Sequence, residues 1–187
     1  MRSKSFLMEL TEEEMLEMWK LRVGLMPARR DCTVEREDGL DLDGKLLVDI
    51  KQWYAQLLAT GPVEWLPVED VSGDVTAESD STGVITAVMP DRCVRPVSWH
   101  VAGWAVDVTR FEEPDSVVAR QQSLEWLRGG GARPVAVLRE DAVLLYTTDS
   151  PEDFTIDKAL CVVRPDDGSY QFSQEALATI PNGIAGL

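Results

Sequence analysis

Apolar positions fall into two regimes along the chain. From Thr11 to Thr60 they recur every three or four residues, and beyond Gly61-Pro62 they come in short runs separated by turn residues. Thr11-Glu12-Glu13-Glu14 is a capping box, in which the hydroxyl and the third carboxylate satisfy each other's backbone amides, so a helix is expected from there. Met15, Leu16, Met18, Trp19 and Val23 give it a broad apolar face, and Gly24 followed by Pro27 ends it. Residues 28–40 are a polar connector with a short strand expected at Thr33–Arg36. The second helix, over residues 42–59, is the strongest periodic signal: Leu42, Leu46, Ile50, Trp53, Tyr54, Leu57 and Leu58 share one face, with Asp41 or Asp43 as its cap.

The remainder reads as strands and turns. Val75–Glu78 and Val84–Val88 flank a turn at 79–83. A strand Val94–Val101 follows; Pro96 cannot donate to a ladder, which places this strand at an edge or gives it a bulge. Ala102-Gly103 is expected to reverse the chain into a second strand, Trp104–Thr109. A short helix near 116–127 is expected to turn Val117, Val118, Leu124 and Leu127 inward, before Gly129-Gly130-Gly131 ends it. Pro134–Leu138 with Ala142–Thr147 form a second hairpin, and Leu160–Arg164 with Tyr170–Phe172 a third. A last short helix, Gln174–Thr179, is capped by Ser173. The expected class is α+β: amphipathic N-terminal helices in residues 1–60, packed on a mainly antiparallel sheet or sandwich with short interspersed helices in residues 61–187, the latter one compact unit.

Composition narrows the function classes. The 187 residues carry a formal net charge of −15 and are 44% hydrophobic. Residues 1–60 hold 12 acids against 9 bases and residues 61–187 hold 21 against 9, so the acidity belongs to the β-rich part. Such a surface repels nucleic-acid phosphates and anionic membranes, which disfavours a sequence-specific DNA or RNA binder. No apolar run approaches the roughly 18 to 20 residues of a bilayer span, and Glu9 interrupts the N-terminus before a signal core develops, so a soluble cytoplasmic protein is expected. Cys32, Cys93 and Cys161 are far apart and odd in number, which indicates neither a disulfide framework nor a thiolate metal motif.

Candidate chemistry is sparse. His100 is the single histidine, so any Ser-His-Asp or Cys-His mechanism would have to use it, and its place between Trp99 and Val101 on a strand favours a structural role. Asp38 to Gly44 resembles a calcium loop, but with Gly44 at the glycine position Ile50 falls where a bidentate glutamate is required. Arg128-Gly129-Gly130-Gly131-Ala132-Arg133 has the composition of a phosphate loop in the reverse order, after a helix and before a strand. No catalytic residue, cofactor or metal site is therefore assigned. Six tryptophans are many for this length. Trp99 and Trp104, if they share a face, could stack on a sugar or enter a protein partner, and with His100, Trp19 and Arg95 they are the candidate interaction residues.

Met89-Pro90-Asp91-Arg92-Cys93-Val94-Arg95-Pro96-Val97 resembles the segment "Leu-Pro-x-Asp-(Phe/Cys)-x-Arg-x-Val" that introduces the sheet of bacteriophage head–tail adaptor and tail-tubular proteins, with Met89 for the usual leucine. The resemblance spans about residues 42–147 and includes the order of helices and strands. It implies a non-enzymatic structural or virion-assembly protein that forms a homo-oligomeric ring, a head–tail connector working through protein partners. The alternative expectation is a small carbohydrate- or protein-binding module using surface tryptophans.

Overall fold

The computed structural model describes residues 6–24, 41–147 and 154–181. The chain forms two compact units, one of residues 1–67 with 165–187 and one of residues 68–164. The division drawn at residue 60 from composition thus differs from the observed one at the C-terminus, where the last segment rejoins the N-terminal unit. The cause is a strand pair. β1 (Leu7–Thr11), which the periodicity did not announce, runs antiparallel to β10 (Ser169–Ser173), from Leu7↔Ser173 to Thr11↔Ser169. The hairpin expected between Leu160–Arg164 and Tyr170–Phe172 does not form, because β10 is claimed by β1.

In this first unit α1 (Glu12–Arg22) starts at the capping box, with Glu14 N–H donating to Thr11 Oγ1 and Thr11 N–H donating to Glu14 Oε2 at 2.9 Å. Gly24 follows the helix at φ +79°, a conformation open to glycine. Asp41 caps α2 (Leu42–Thr60) by accepting from Gly44 N–H at 3.0 Å. The apolar stripe buries Leu46, Ile50, Tyr54, Leu57 and Leu58 as its spacing requires. Trp19, Trp53, Tyr54, Tyr170 and Phe172 join the two helices to the β1–β10 ribbon in edge-on and tilted contacts, with centroids 5.0–6.3 Å apart. Lys20 pairs with Asp43 at 2.9 Å and ties α1 to the first turn of α2. The expected strand at 33–36 and the helix stop at Pro27 lie outside the described residues.

The second unit holds two sheets around one core. One has the order β2-β9-β5, all antiparallel: β2 (Val68–Asp70), β5 (Cys93–Val101) and β9 (Ile156–Val163). The other has the order β3-β4-β8-β7-β6: β3 (Thr76–Ser79), β4 (Val84–Val88), β6 (Phe111–Glu112), β7 (Val135–Arg139) and β8 (Ala142–Tyr146), antiparallel except for β6 with β7. Ile85, Ala87, Trp99, Val101, Ala136, Val143, Leu145, Ala159, Cys161 and Val163 meet in the shared interior. The α+β class and its mainly antiparallel sheets are as expected. Pro96 acts in both of the ways its chemistry allows: β5 is an edge strand, and its register against β9 shifts between Pro96 and Ser98, among other places.

Two expectations fail in this unit. Trp104–Thr109 is a loop whose one ladder contact is a bridge between Trp99 and Val108, with N–O distances of 2.9 and 2.8 Å. The helix after Ser116 is only one turn long, α3 (Val117–Gln121), followed by a 3-10 turn at Glu125–Leu127. Val117, Leu124 and Leu127 are exposed rather than inward. Five residues are too few to carry an amphipathic face; Ala119 is the apolar residue that the short helix buries.

Candidate functional site

The stretch from Ser98 to Val108 and the facing residues of β9 carry a connected set of polar side chains. Ser98 and His100 lie on β5, Asp157 and Lys158 on β9, and Asp107 on the loop from β5 to β6. His100 Nδ1 lies 2.5 Å from Asp157 Oδ1, and Nε2 lies 3.1 Å from the carbonyl oxygen of Trp104. A carbonyl can only accept, and an ionised carboxylate can only accept, so the ring that makes both bonds carries a proton on each nitrogen. The Asp157 partner holds the His100 pKa above its ordinary value, against a smaller desolvation effect, with the Trp104 carbonyl and the Asp157 and Asp107 charges acting in the same direction as the partner. An imidazolium fixed at both ends clamps the β5 end to β9 and to the turn after Gly103; it has no lone pair with which to accept a proton from a nucleophile.

Ser98 is committed likewise. Its hydroxyl donates to Asp107 Oδ2 at 3.1 Å, and Lys158 Nζ reaches the same oxygen. These bonds pull the Asp107 carboxyl below the usual range, Lys158 foremost and then Ser98. The serine is 8% exposed and donates to a carboxylate that a lysine already neutralises, an arrangement that satisfies a polar edge rather than activates a hydroxyl.

The other sequence-selected residues are dispersed. Trp99 is wholly buried at the centre of the second unit, 6.4 Å from the Phe111 ring and nearly perpendicular to it. Trp104 is half-buried against the same core, and Gly131 approaches it so closely that a Cβ there would come 2.9 Å from its ring. The two tryptophans therefore form no shared stacking platform. Trp19 is buried between the elements of the first unit. Arg95 is half-buried on β5, where desolvation lowers its pKa. The glycine-rich turn does not hold out its arginine either. Arg128 Nε donates to the Gln122 carbonyl at 2.9 Å, its Nη1 reaches the Thr82 carbonyl, and its guanidinium lies 5.4 Å from the Tyr146 ring centroid.

The exposed apolar surface lies elsewhere, on the segment that sequence reasoning turned inward. Trp126 is 79% exposed on the 3-10 turn, and Val117, Leu124 and Leu127 of the same segment are also exposed. Ser116 caps the turn of helix by accepting from Ala119 N–H at 3.0 Å, and Arg128 and Gln122 anchor the far end through the 2.9 Å bond above. The segment is thus held by backbone and side-chain bonds, and its large apolar groups face outward. Its charge is also unusual. Residues 110–133 contain four bases and four acids, so the entire net charge of −15 lies outside them. A tryptophan in a polar run such as Gln121-Gln122-Ser123-Leu124-Glu125 was the available sequence signal, and the apolar count around it masked it.

A third feature is a groove of about 460 Å³ on the outer side of α1, lined by Glu13, Glu14, Glu17, Met18 and Leu21. Its carboxylates all project from one helix, and among the described residues no group of three or more His, Cys, Asp or Glu side chains is placed to hold a metal ion. No helix among the described residues is long and apolar enough to cross a membrane. Comparison with protein-family models, with curated proteins and with solved structures found no match.

Proposed function

We propose that this chain is a non-enzymatic assembly subunit that associates with further copies of itself through the Val117–Leu127 segment. The observation that carries the reading is Trp126, a large aromatic side chain 79% exposed on an anchored turn, in a segment that also exposes Val117, Leu124 and Leu127. Aromatic anchors of this kind supply most of the energy of protein interfaces, and contiguous apolar groups on a soluble surface mark such sites. The occupant follows from charge. Two chains of −15 repel one another over most of their surface, and the electroneutral 110–133 segment is a face that can approach another copy without adding to that repulsion.

The finer reading, a ring subunit of head–tail connector type, is proposed on the resemblance of Met89–Val97. That segment forms the turn leading into β5, with Cys93 N–H donating to the Pro90 carbonyl at 2.8 Å. Arg92 stands where the family pattern has aspartate, so the ring reading leans on Trp126 more than on the segment itself. A head-to-tail contact between copies closes into a ring when its rotation closes, and the patch would then meet a different face of the neighbour.

Sedimentation velocity across a concentration series tests the proposal. The wild-type chain is expected to populate a defined oligomer, and Trp126→Arg to shift it to monomer with its circular dichroism unchanged. A wild-type chain that stays monomeric at the highest attainable concentration, or an oligomer indifferent to Trp126→Arg and Leu127→Asp, would overturn it.

A further inference from the structure

We propose that Met89, Cys93 and Cys161 form a binding site for a soft monovalent metal ion, copper(I). The three sulfurs converge in the second unit. Cys93 Sγ donates to Met89 Sδ at 3.6 Å across the turn at 90–92, and Cys93 packs against the same apolar cluster that buries Met89 and Cys161. Strand register explains the meeting. Cys93 faces Val163, and Cys161 lies two residues along β9, so both cysteines project from the same face of the β5–β9 pair.

The spacing suits a metal better than a disulfide. Diagonal neighbours of this kind have Cα atoms about 7–8 Å apart, beyond the roughly 4.4–6.8 Å that a disulfide spans. Metal–thiolate bonds of about 2.3 Å, by contrast, place the ligand sulfurs of a three-coordinate ion about 4 Å from one another, close to the Cys93–Met89 separation. Two thiolates and a thioether without imidazole are a soft donor set that selects copper(I) over hard cations. Asp70, which faces Leu160 from β2, is occupied by the amide groups of Ala159 and Ser72, both at 3.0 Å.

A second, independent feature points to the same place. Trp99 is wholly buried, and its indole Nε1 has no conventional hydrogen-bond partner. Trp99 faces Ala159, two residues from Cys161 along β9, so the indole and the Cys161 sulfur lie on one face of the pair, and a metal-bound thiolate there gives this orphaned donor the acceptor it lacks. Copper(I) would displace both thiol protons to solvent without any change in oxidation state. Cys161 and Met89 are buried and Cys93 is half-buried, which leaves Cys93 as the point of entry.

The test is an anaerobic titration of the reduced full chain with copper(I) in competition with the chromogenic chelator bicinchoninate. One ion per chain is expected, with a sulfur-to-copper charge-transfer absorption and a raised Tm. Even groups that only support metal ligands cost about ten- to a hundredfold in affinity, so Cys93→Ser and Cys161→Ala are each expected to lose a hundredfold or more and Met89→Leu about tenfold. Cys32→Ser is expected to bind as wild type. Should Cys161→Ala unfold, the half-buried Cys93→Ser reads the same site. A wild-type chain that cannot take copper(I) from the chelator overturns the proposal, as does binding that survives Cys93→Ser or is lost with Cys32→Ser.

Discussion

His100 Nδ1 and Asp157 Oδ1 stand 2.5 Å apart across β5 and β9, and this contact determines the charge of the only histidine in the chain. The raised pKa means that the folded state holds the proton more tightly than the unfolded chain, whose value is near the ordinary 6.5. The stabilisation is therefore fully present below pH 6.5 and is lost as pH rises through the higher folded value. Because one imidazole is present, its proton resonance reports the titration directly. Wild type is expected to titrate above 6.5, and Asp157→Asn to move the midpoint down towards it. A wild-type midpoint at or below 6.5 would remove the clamp assigned to His100.

Trp99 and Trp126 should respond to truncation in opposite ways. Trp99 fills the interior between two sheets, and Trp99→Ala is expected to cost about 3–5 kcal/mol in urea unfolding. Trp126 touches mainly solvent, and Trp126→Ala is expected to stay within about 0.5 kcal/mol under monomeric conditions. Equal losses at the two positions would mean that Trp126 packs against the chain, and the association surface would lose its anchor.

Asp41 caps α2, whose stripe supplies five buried residues to the first unit. Asp41→Ala is expected to lower stability by about 1 kcal/mol, and Asp41→Asn to restore most of it because an amide oxygen can also accept from Gly44 N–H. Thermal unfolding of the two variants side by side checks this. Similar losses for both would assign the effect to charge at the helix start rather than to the cap.

What could be read from the sequence was what local chemistry determines. The capping box at Thr11, the stripe of α2 and the hairpin turn at Asp80, which accepts from Thr82 and Val84 N–H at 2.8 and 2.9 Å, all depend on residues within a few positions of one another. Pro96 was legible for the same reason: a missing donor has the same consequence in any sheet. The pairing of β1 with β10 was not, since Leu7 and Ser173 meet only through the fold of the whole unit. The inward reading of Leu124 and Leu127 failed because periodicity says that residues share a face and not which way the face points. The candidate sites divide along the same line. Trp99 and Trp104 are near in sequence but separated by burial, whereas Cys93 and Cys161, which seemed unrelated, are joined by strand register.

Tyr54 supplies a test at alkaline pH. Its hydroxyl donates to the Gln171 carbonyl and accepts from the Gln171 amide, both at 3.0 Å, on the ribbon that closes the first unit. Burial pushes its pKa up to about 12 from 10.0, partly opposed by the bond from Gln171. Here the folded state favours the neutral form, so between pH 10 and 12 the unfolded chain gives up its proton first and stability falls as pH rises, by up to about 1.4 kcal/mol per pH unit. Tyr54→Phe removes that titration and also leaves the Gln171 groups without their partner, at a cost of about 1–3 kcal/mol near neutrality. Urea unfolding at pH 8 and pH 11 is therefore expected to show a large gap between wild type and Tyr54→Phe at the lower pH and a smaller one at the higher. A gap that stays constant or widens would mean that Tyr54 ionises freely in the folded chain and does not bridge β10.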